Sequence, residues 1–198
     1  MAPEMTSPNE PHDPVAIALD IGVRLDQLRV EWLIGGSLAS SVHGEPRATQ
    51  DVDMVVALRP RHVKPLWDAL RRDYYVDVDE MRAAARAPAS FNAVHFASAI
   101  KVDFFVAGDD PFEAERLANR QRIETPGGAL HVDTAEHTLL RKLEWYRRGG
   151  ETSERQWRDV QAIVRIQGDR LDRDRLRLWA DRLGVMDLLQ RILTETAR

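Results

Sequence analysis

The sequence predicts an α/β (α+β) chain, with a mixed sheet flanked by helices over residues 15–132 and a helical bundle over 133–198. Three observations carry that division. Short runs rich in β-branched and aromatic residues alternate with helix-period segments as far as Val132. After Asp133 only helix-period segments remain. Gly35-Gly36-Ser37 separates a strand-like run from a helix-like one, a place where the chain changes period.

In chain order, residues 1–14 contain four prolines, a serine, a threonine and several acids, the composition of a mobile tail. Val15, Leu19, Ile21, Leu25 and Leu28 recur at broadly helical spacing and predict a first helix over 15–28. Strands follow at 31–34 and 52–58, with a helix starting near Ser37 between them. Pro60 opens a helix over 61–72 that turns Leu66, Trp67 and Leu70 inward. Residues 74–78 predict a short strand, and the helix-prone stretch 81–86 ends before Pro88. Residues 91–96 and 99–107 read as adjacent strands joined by a tight Ala97-Ser98 link. A helix at 111–120 precedes a turn at Pro126-Gly127-Gly128 and a short strand at 129–132. Asp133-Thr-Ala-Glu136 has the spacing of a capping box before an apolar face of Leu139, Leu140, Leu143 and Tyr146 that stops at Gly149-Gly150. Ser153-Glu-Arg-Gln156 repeats the pattern ahead of Trp157, Val160, Ile163 and Val164. Helices at 172–183 and 185–193 complete the bundle.

Composition narrows the setting. At 198 residues the chain can bury a proper core. It has no cysteine, which excludes a disulfide framework and a thiolate metal site. No apolar run approaches the ~18 residues that span a membrane, and the N-terminus lacks a basic-then-apolar signal pattern, so a cytoplasmic location is expected. A net charge of −4 gives no general attraction to nucleic acid, and any RNA contact needs a local basic patch.

The chemistry concentrates in two segments. Side chains alternate faces along a strand, so in Asp51-Val52-Asp53-Met54-Val55-Val56 the two carboxylates point one way while Val52, Met54 and Val56 serve the apolar side. Aligned carboxylates repel, and a hard cation such as Mg²⁺ or Mn²⁺, bound by a few carboxylate oxygens, water and phosphate, relieves that repulsion. Gly35 and Gly36 let a phosphate approach the backbone, and the helix starting near Ser37 presents N–H groups and a positive dipole end to it. A third carboxylate, Asp103, interrupts an apolar strand, where its burial is costly unless it is paired or coordinated.

At these residues the chain resembles the DNA polymerase β-like nucleotidyltransferase superfamily, over roughly residues 30 to 107. Within it the chain is most similar to a small bacterial group that includes AbiEii-type toxins and reads G-G-x-x-A-x-x-x-H-G-x-x-R-x-T-x-D-[IV]-D, here Gly35, Gly36, Ala39, His43, Gly44, Arg47, Thr49, Asp51, Val52 and Asp53. The resemblance implies metal-dependent transfer of a nucleoside monophosphate from a nucleoside triphosphate to an acceptor hydroxyl on RNA or protein, with pyrophosphate leaving. It assigns catalysis and the metal to Asp51, Asp53 and Asp103, and the triphosphate to Gly35, Gly36 and Ser37. It also implies a toxin–antitoxin role with a cognate antitoxin as partner. The group's Leu-x-x-Lys-Leu helix and following Arg-Asp match Lys142-Leu143 and Arg158-Asp159, which makes Lys142 and Arg158 candidate phosphate contacts. Arg47 stands four residues before Asp51, in the loop that passes the phosphate site, and is a further substrate contact. Thr49 is read as fixing that loop through its backbone, His43 as a residue of a helix C-terminus and His95 as a hydrogen-bonded core residue. Two other functions use the same residues: a catalytically silent nucleotidyltransferase-fold binding module and a metal-dependent phosphohydrolase. The intact aspartates favour the transferase over the silent module, and the Gly-Gly-Ser turn, suited to a retained triphosphate, favours it over the hydrolase.

Overall fold

A computed structural model describes residues 13–196. The N-terminal tail expected at 1–14 lies almost entirely outside them. Helix α1 (Pro14–Gln27) opens at Asp13, whose side chain accepts a hydrogen bond from the Val15 N–H, with Pro14 in the first turn where its missing donor is harmless. Then follow β1 (Trp32–Ile34), α2 (Gly36–His43), β2 (Asp51–Val56), α3 (Pro60–Leu70), β3 (Tyr74–Val76), α4 (Val78–Arg86), β4 (Ser90–His95) and β5 (Lys101–Val106). The sheet is completed by β6 (Gln121–Thr125) and β7 (Gly128–Val132) after helix α5 (Pro111–Asn119). Four helices end the chain: α6 (Ala135–Arg148), α7 (Glu154–Gln167), α8 (Arg173–Arg182) and α9 (Met186–Thr196).

The strands form one mixed sheet in the order β3-β4-β5-β2-β1-β7-β6. β2 pairs antiparallel with β1 and parallel with β5, while β7 joins β1 in parallel. On one face α1, α3 and α4 cover Trp32, Ile34, Val52, Met54, Val56, Val102 and Phe104, the set expected from strand alternation. The C-terminal helices build a second core around Leu139, Leu143, Val160, Ile163 and Leu189. Between the two lies a small apolar cluster of Leu33, Val55, Ala107 and Leu117 beneath α5.

Three elements differ from the sequence expectation. β6 was not foreseen: it is an edge strand with mostly exposed residues, so it lacks the apolar alternation that marks a strand, and a Pro126-Gly127 link folds it onto β7. α4 starts at Val78 rather than 81, because the Asp77 carboxylate caps the N–H groups of Asp79 and Glu80. The cap of α6 is Thr134, whose side chain accepts from the His137 N–H; Asp133 is fully buried and does other work.

Gly22 shows how closely the sheet meets α1. A methyl group there would fall 2.4 Å from the buried Trp32 ring, which is pinned by a 2.8 Å hydrogen bond from its Nε1 to Asp26. Alanine is worth about 1 kcal/mol over glycine inside a helix, but overpacking a rigid core costs about 1–3 kcal/mol. Gly22→Ala is expected to be destabilising, read as a lowered urea midpoint with an unchanged slope.

Candidate active site

Parallel register sets Asp53 directly beside Asp103, and Asp51 beside Lys101, so Asp51, Asp53 and Asp103 share one sheet face. Asp53 is half-buried, and its carboxyl is pushed up by burial first and by the Asp103 charge second, with Asp51 adding to it. The Ser37 backbone N–H and Lys142 oppose that rise. Asp103 turns to Lys101, whose Nζ lies 2.7 Å from its Oδ2. The same pair raises the Lys101 ammonium.

The turn between β1 and α2 is shaped around Asp53. Gly36 has φ +54°, and a Cβ there would lie 1.8 Å from Asp53 Oδ2. Two constraints therefore require glycine, a left-handed backbone and contact with a carboxylate. Asp53 itself takes the space over Gly36.

The donor set fits a hard divalent cation, since three carboxylates share one face and their mutual repulsion registers on Asp53. Among the described residues no three acidic or histidine side chains converge tightly enough to hold an ion as they stand.

Opposite the sheet, α6 and α7 wall a cleft of about 920 Å³ lined by Gly35, Gly36, Ser37, Arg47, Asp53 and Lys142, among others. Asp159 ties its cations together. Arg47 donates to both its oxygens (Nε to Oδ1 3.1 Å, Nη2 to Oδ2 3.0 Å), and Lys142 Nζ donates to Oδ2 at 2.7 Å. Burial pushes the Asp159 carboxyl up, but the hydrogen bonds from Arg47 and Lys142 prevail and hold it below its usual range. Arg47 Nη2 also donates to Ser37 Oγ at 2.6 Å, so the loop arginine reaches the glycine turn.

A second charge cluster lies under the turn. Arg116, buried, donates to Asp133 Oδ2 through Nε (2.9 Å) and Nη2 (2.6 Å) and to Glu113 through Nη1 (2.9 Å to Oε2). A Cβ on Gly35 would stand 3.3 Å from Arg116 Nη2. His43 Nε2 donates to the Asp133 carbonyl at 2.6 Å, joining the end of α2 to the start of α6. His137 is fully buried, with its ring edge on Phe112 and its Nδ1 3.6 Å from Asp133 Oδ1, too far for a hydrogen bond.

Most of the residues singled out from sequence thus meet at one place: Gly35, Gly36, Ser37, Arg47, Asp53 and Lys142 line the cleft, with Asp51 and Asp103 on the same sheet face. Arg158 is not among them. Its side chain is 74% exposed and lies over its own helix turn, 3.4 Å from the Glu154 carbonyl. Successive helix residues point about 100° apart, and Asp159 is the one that faces α6. Thr49 bonds the Asp51 backbone (3.2 Å) and His95 bonds Ser98 (2.9 Å), each in the structural role read from sequence. Arg116 and Asp133 were missed. The available signal was that Arg116 stands four residues after Phe112, on the buried face of α5, where a guanidinium needs a carboxylate.

No family model matches the chain, and no curated protein matches it in sequence. Solved structures do match it in shape. ANT(2")-Ia in complex with adenylyl-2"-tobramycin superposes with a TM-score of 0.56 at 12% identity, covering 86% of this chain and 96% of that one. The chain has a nucleotidyltransferase fold. Lincomycin-bound LnuA, a lincosamide antibiotic adenylyltransferase, gives a TM-score of 0.52 at 12% identity over 77% of this chain and 96% of its own. An antigenic nucleotidyltransferase-like protein from Paracoccidioides brasiliensis gives 0.52 at 16% identity over 80% and 77%. At these identities the likeness establishes the fold, and function rests on the site.

The buried histidine gives a pH test. Burial holds His137 below its ordinary value of 6.5, more than Asp133 and Glu115 can restore. A depressed base favours the neutral ring in the folded state, so stability is complete above 6.5 and falls as pH drops below it. The wild-type melting temperature is expected to fall more steeply between about pH 7.5 and about pH 5.5 than that of His137→Gln. Equal slopes would remove His137 as the titrating group.

Proposed function

We propose that the protein is a metal-dependent nucleotidyltransferase that moves a nucleoside monophosphate from a nucleoside triphosphate to an acceptor hydroxyl and releases pyrophosphate. The observation that carries this reading is the meeting of Ser37, Arg47 and Lys142 with Asp53 in one cleft, with Asp103 in register beside it. A triphosphate tail suits Gly36, Ser37, Arg47 and Lys142, which offer backbone room, a hydroxyl and two cations. Asp51, Asp53 and Asp103 would hold Mg²⁺ or Mn²⁺, which when bound neutralises triphosphate charge. Asp103, in register beside Asp53, is placed by this reading to help activate the attacking hydroxyl. Lys101 would shift from its carboxylate partner. Catalysis is then chiefly positioning and charge neutralisation.

The acceptor is RNA or protein, and a toxin held in check by a cognate antitoxin in the cytoplasm fits the motif resemblance. A catalytically silent binding module is a second reading, favoured by the Lys101–Asp103 ion pair, which already satisfies one carboxylate without a cation.

Asp53→Asn decides between them. The transferase reading expects label transfer from triphosphate to fall by about two orders of magnitude or more, since a charge at the reacting centre is lost. Thermal stability should hold or rise without metal, because burial and the neighbouring carboxylates disfavour the Asp53 charge in the fold. Wild type should gain stability on adding Mg²⁺ with nucleotide and the variant less. Neither transfer nor ligand-dependent stabilisation with any of the four triphosphates would leave the silent module as the reading.

A further inference from the structure

Lysine is scarce in this chain. Only three of its 28 basic residues are lysines, Lys64, Lys101 and Lys142, and two of the three meet carboxylates of the candidate site: Lys142 on Asp159 and Lys101 on Asp103. The choice matters because an ammonium is a compact, strongly hydrated charge on a flexible stem, whereas a guanidinium grips a carboxylate with a rigid fork. Where the chain fixes a carboxylate it uses the fork: Arg116 holds Asp133 through two nitrogens, and both side chains are almost fully buried. Asp103 is held differently. Lys101 Nζ lies 2.7 Å from its Oδ2, and the two side chains are 45% and 24% exposed. An ion pair so open to water holds weakly and parts readily.

The register places this ammonium among the proposed metal ligands. Lys101 lies beside Asp51 and two residues before Asp103, on the face that also carries Asp53. The hydrogen bond to Asp103 raises the ammonium first, and the charges of Asp103, Asp51 and Asp53 raise it further. One positive charge is therefore within electrostatic reach of all three carboxylates.

We propose that Lys101 is the carboxylate site's own counter-ion, a competitor that keeps a bare divalent cation from binding tightly and yields to one that arrives with a triphosphate. The proposal rests on the metal site of the transferase reading and adds a residue to it. A bare ion must displace the ammonium from Asp103 and give up water to do so, and Mg²⁺ dehydrates reluctantly. An ion carried by a triphosphate has already exchanged part of its water for phosphate oxygens and needs fewer oxygens from the protein. Lys101 thereby ties cation loading to nucleotide. Until then its charge relieves the mutual repulsion of Asp51, Asp53 and Asp103.

The test is binding of Mn²⁺ to the full chain, followed by loss of the free ion's paramagnetic resonance signal, in wild type, Lys101→Met, Lys101→Arg and Asp103→Asn. Lys101→Met keeps the stem and removes the charge, so a divalent ion no longer opposed by an ammonium should bind about tenfold more tightly. Lys101→Arg keeps the charge and should stay near wild type. The gain in Lys101→Met should shrink in about 0.5 M KCl, which screens exposed charges. In thermal melts wild type should gain little from Mg²⁺ alone and more from Mg²⁺ with ATP, whereas Lys101→Met should gain from Mg²⁺ alone. The same melts verify that each variant is folded. Unchanged or weaker Mn²⁺ binding by Lys101→Met would overturn the counter-ion, and weaker binding by Asp103→Asn in the same series would leave the metal site standing. Tighter binding by Lys101→Arg as well as Lys101→Met would also overturn it, since the gain would then come from shape rather than charge. No Mn²⁺ binding by wild type or any variant, with or without ATP, would overturn both readings.

Discussion

The disfavoured charge of Asp53 organises the centre of the molecule. A carboxylate half-removed from water, with a second carboxylate in register beside it, is held in place only by groups that tolerate close contact with it. Gly36 tolerates it by having no side chain, and its left-handed backbone starts α2 so that the Ser37 N–H meets the carboxylate. Any larger residue at Gly36 would displace Asp53 and strain the turn together, so the glycine serves the folded geometry before it serves a ligand. Lys101 plays the matching part for Asp103, its Nζ 2.7 Å from Oδ2.

The same demand, that buried charges be paired, joins the sheet to the helical bundle. Arg47 leaves the loop ahead of β2 and is captured by Asp159 of α7, which also captures Lys142 of α6. Arg116 of α5 is captured by Asp133 at the end of β7. Replacing such pairs with packed apolar side chains is often neutral or stabilising, but removing one partner costs about 3–5 kcal/mol. These pairs are better understood as fixing where the bundle sits on the sheet than as net stabilisers. They hold the cleft walls at a set distance from one another.

The glycines and carboxylates around the cleft were legible in sequence because each breaks a local pattern: glycines at a strand end, acids at alternate strand positions, an acid inside an apolar strand. Strand alternation alone set Asp51 and Asp53 on one face and Val52, Met54 and Val56 on the other, and the register then added Asp103. Arg158 misled because a sequence motif does not say which of two neighbouring helix residues turns inward, a matter of about 100°. Arg116 and Asp133 are seventeen residues apart in different elements, so their pairing depends on tertiary docking that no local spacing encodes. β6 went unseen since an exposed edge strand has little apolar pattern to read.

On the transferase reading, the cation side of the cleft is already occupied by an anion of the protein's own. Asp159 accepts from Arg47 with the bidentate geometry that a phosphate uses, and from Lys142 at 2.7 Å, while Arg47 also reaches Ser37. An entering phosphate must share or displace that carboxylate, so its binding is an exchange of anions and its affinity is the difference between two strong interactions. The exchange keeps Arg47 and Lys142 paired before a ligand arrives, which spares the fold two uncompensated cations facing each other. It also makes triphosphate binding sensitive to the reach of its other contacts.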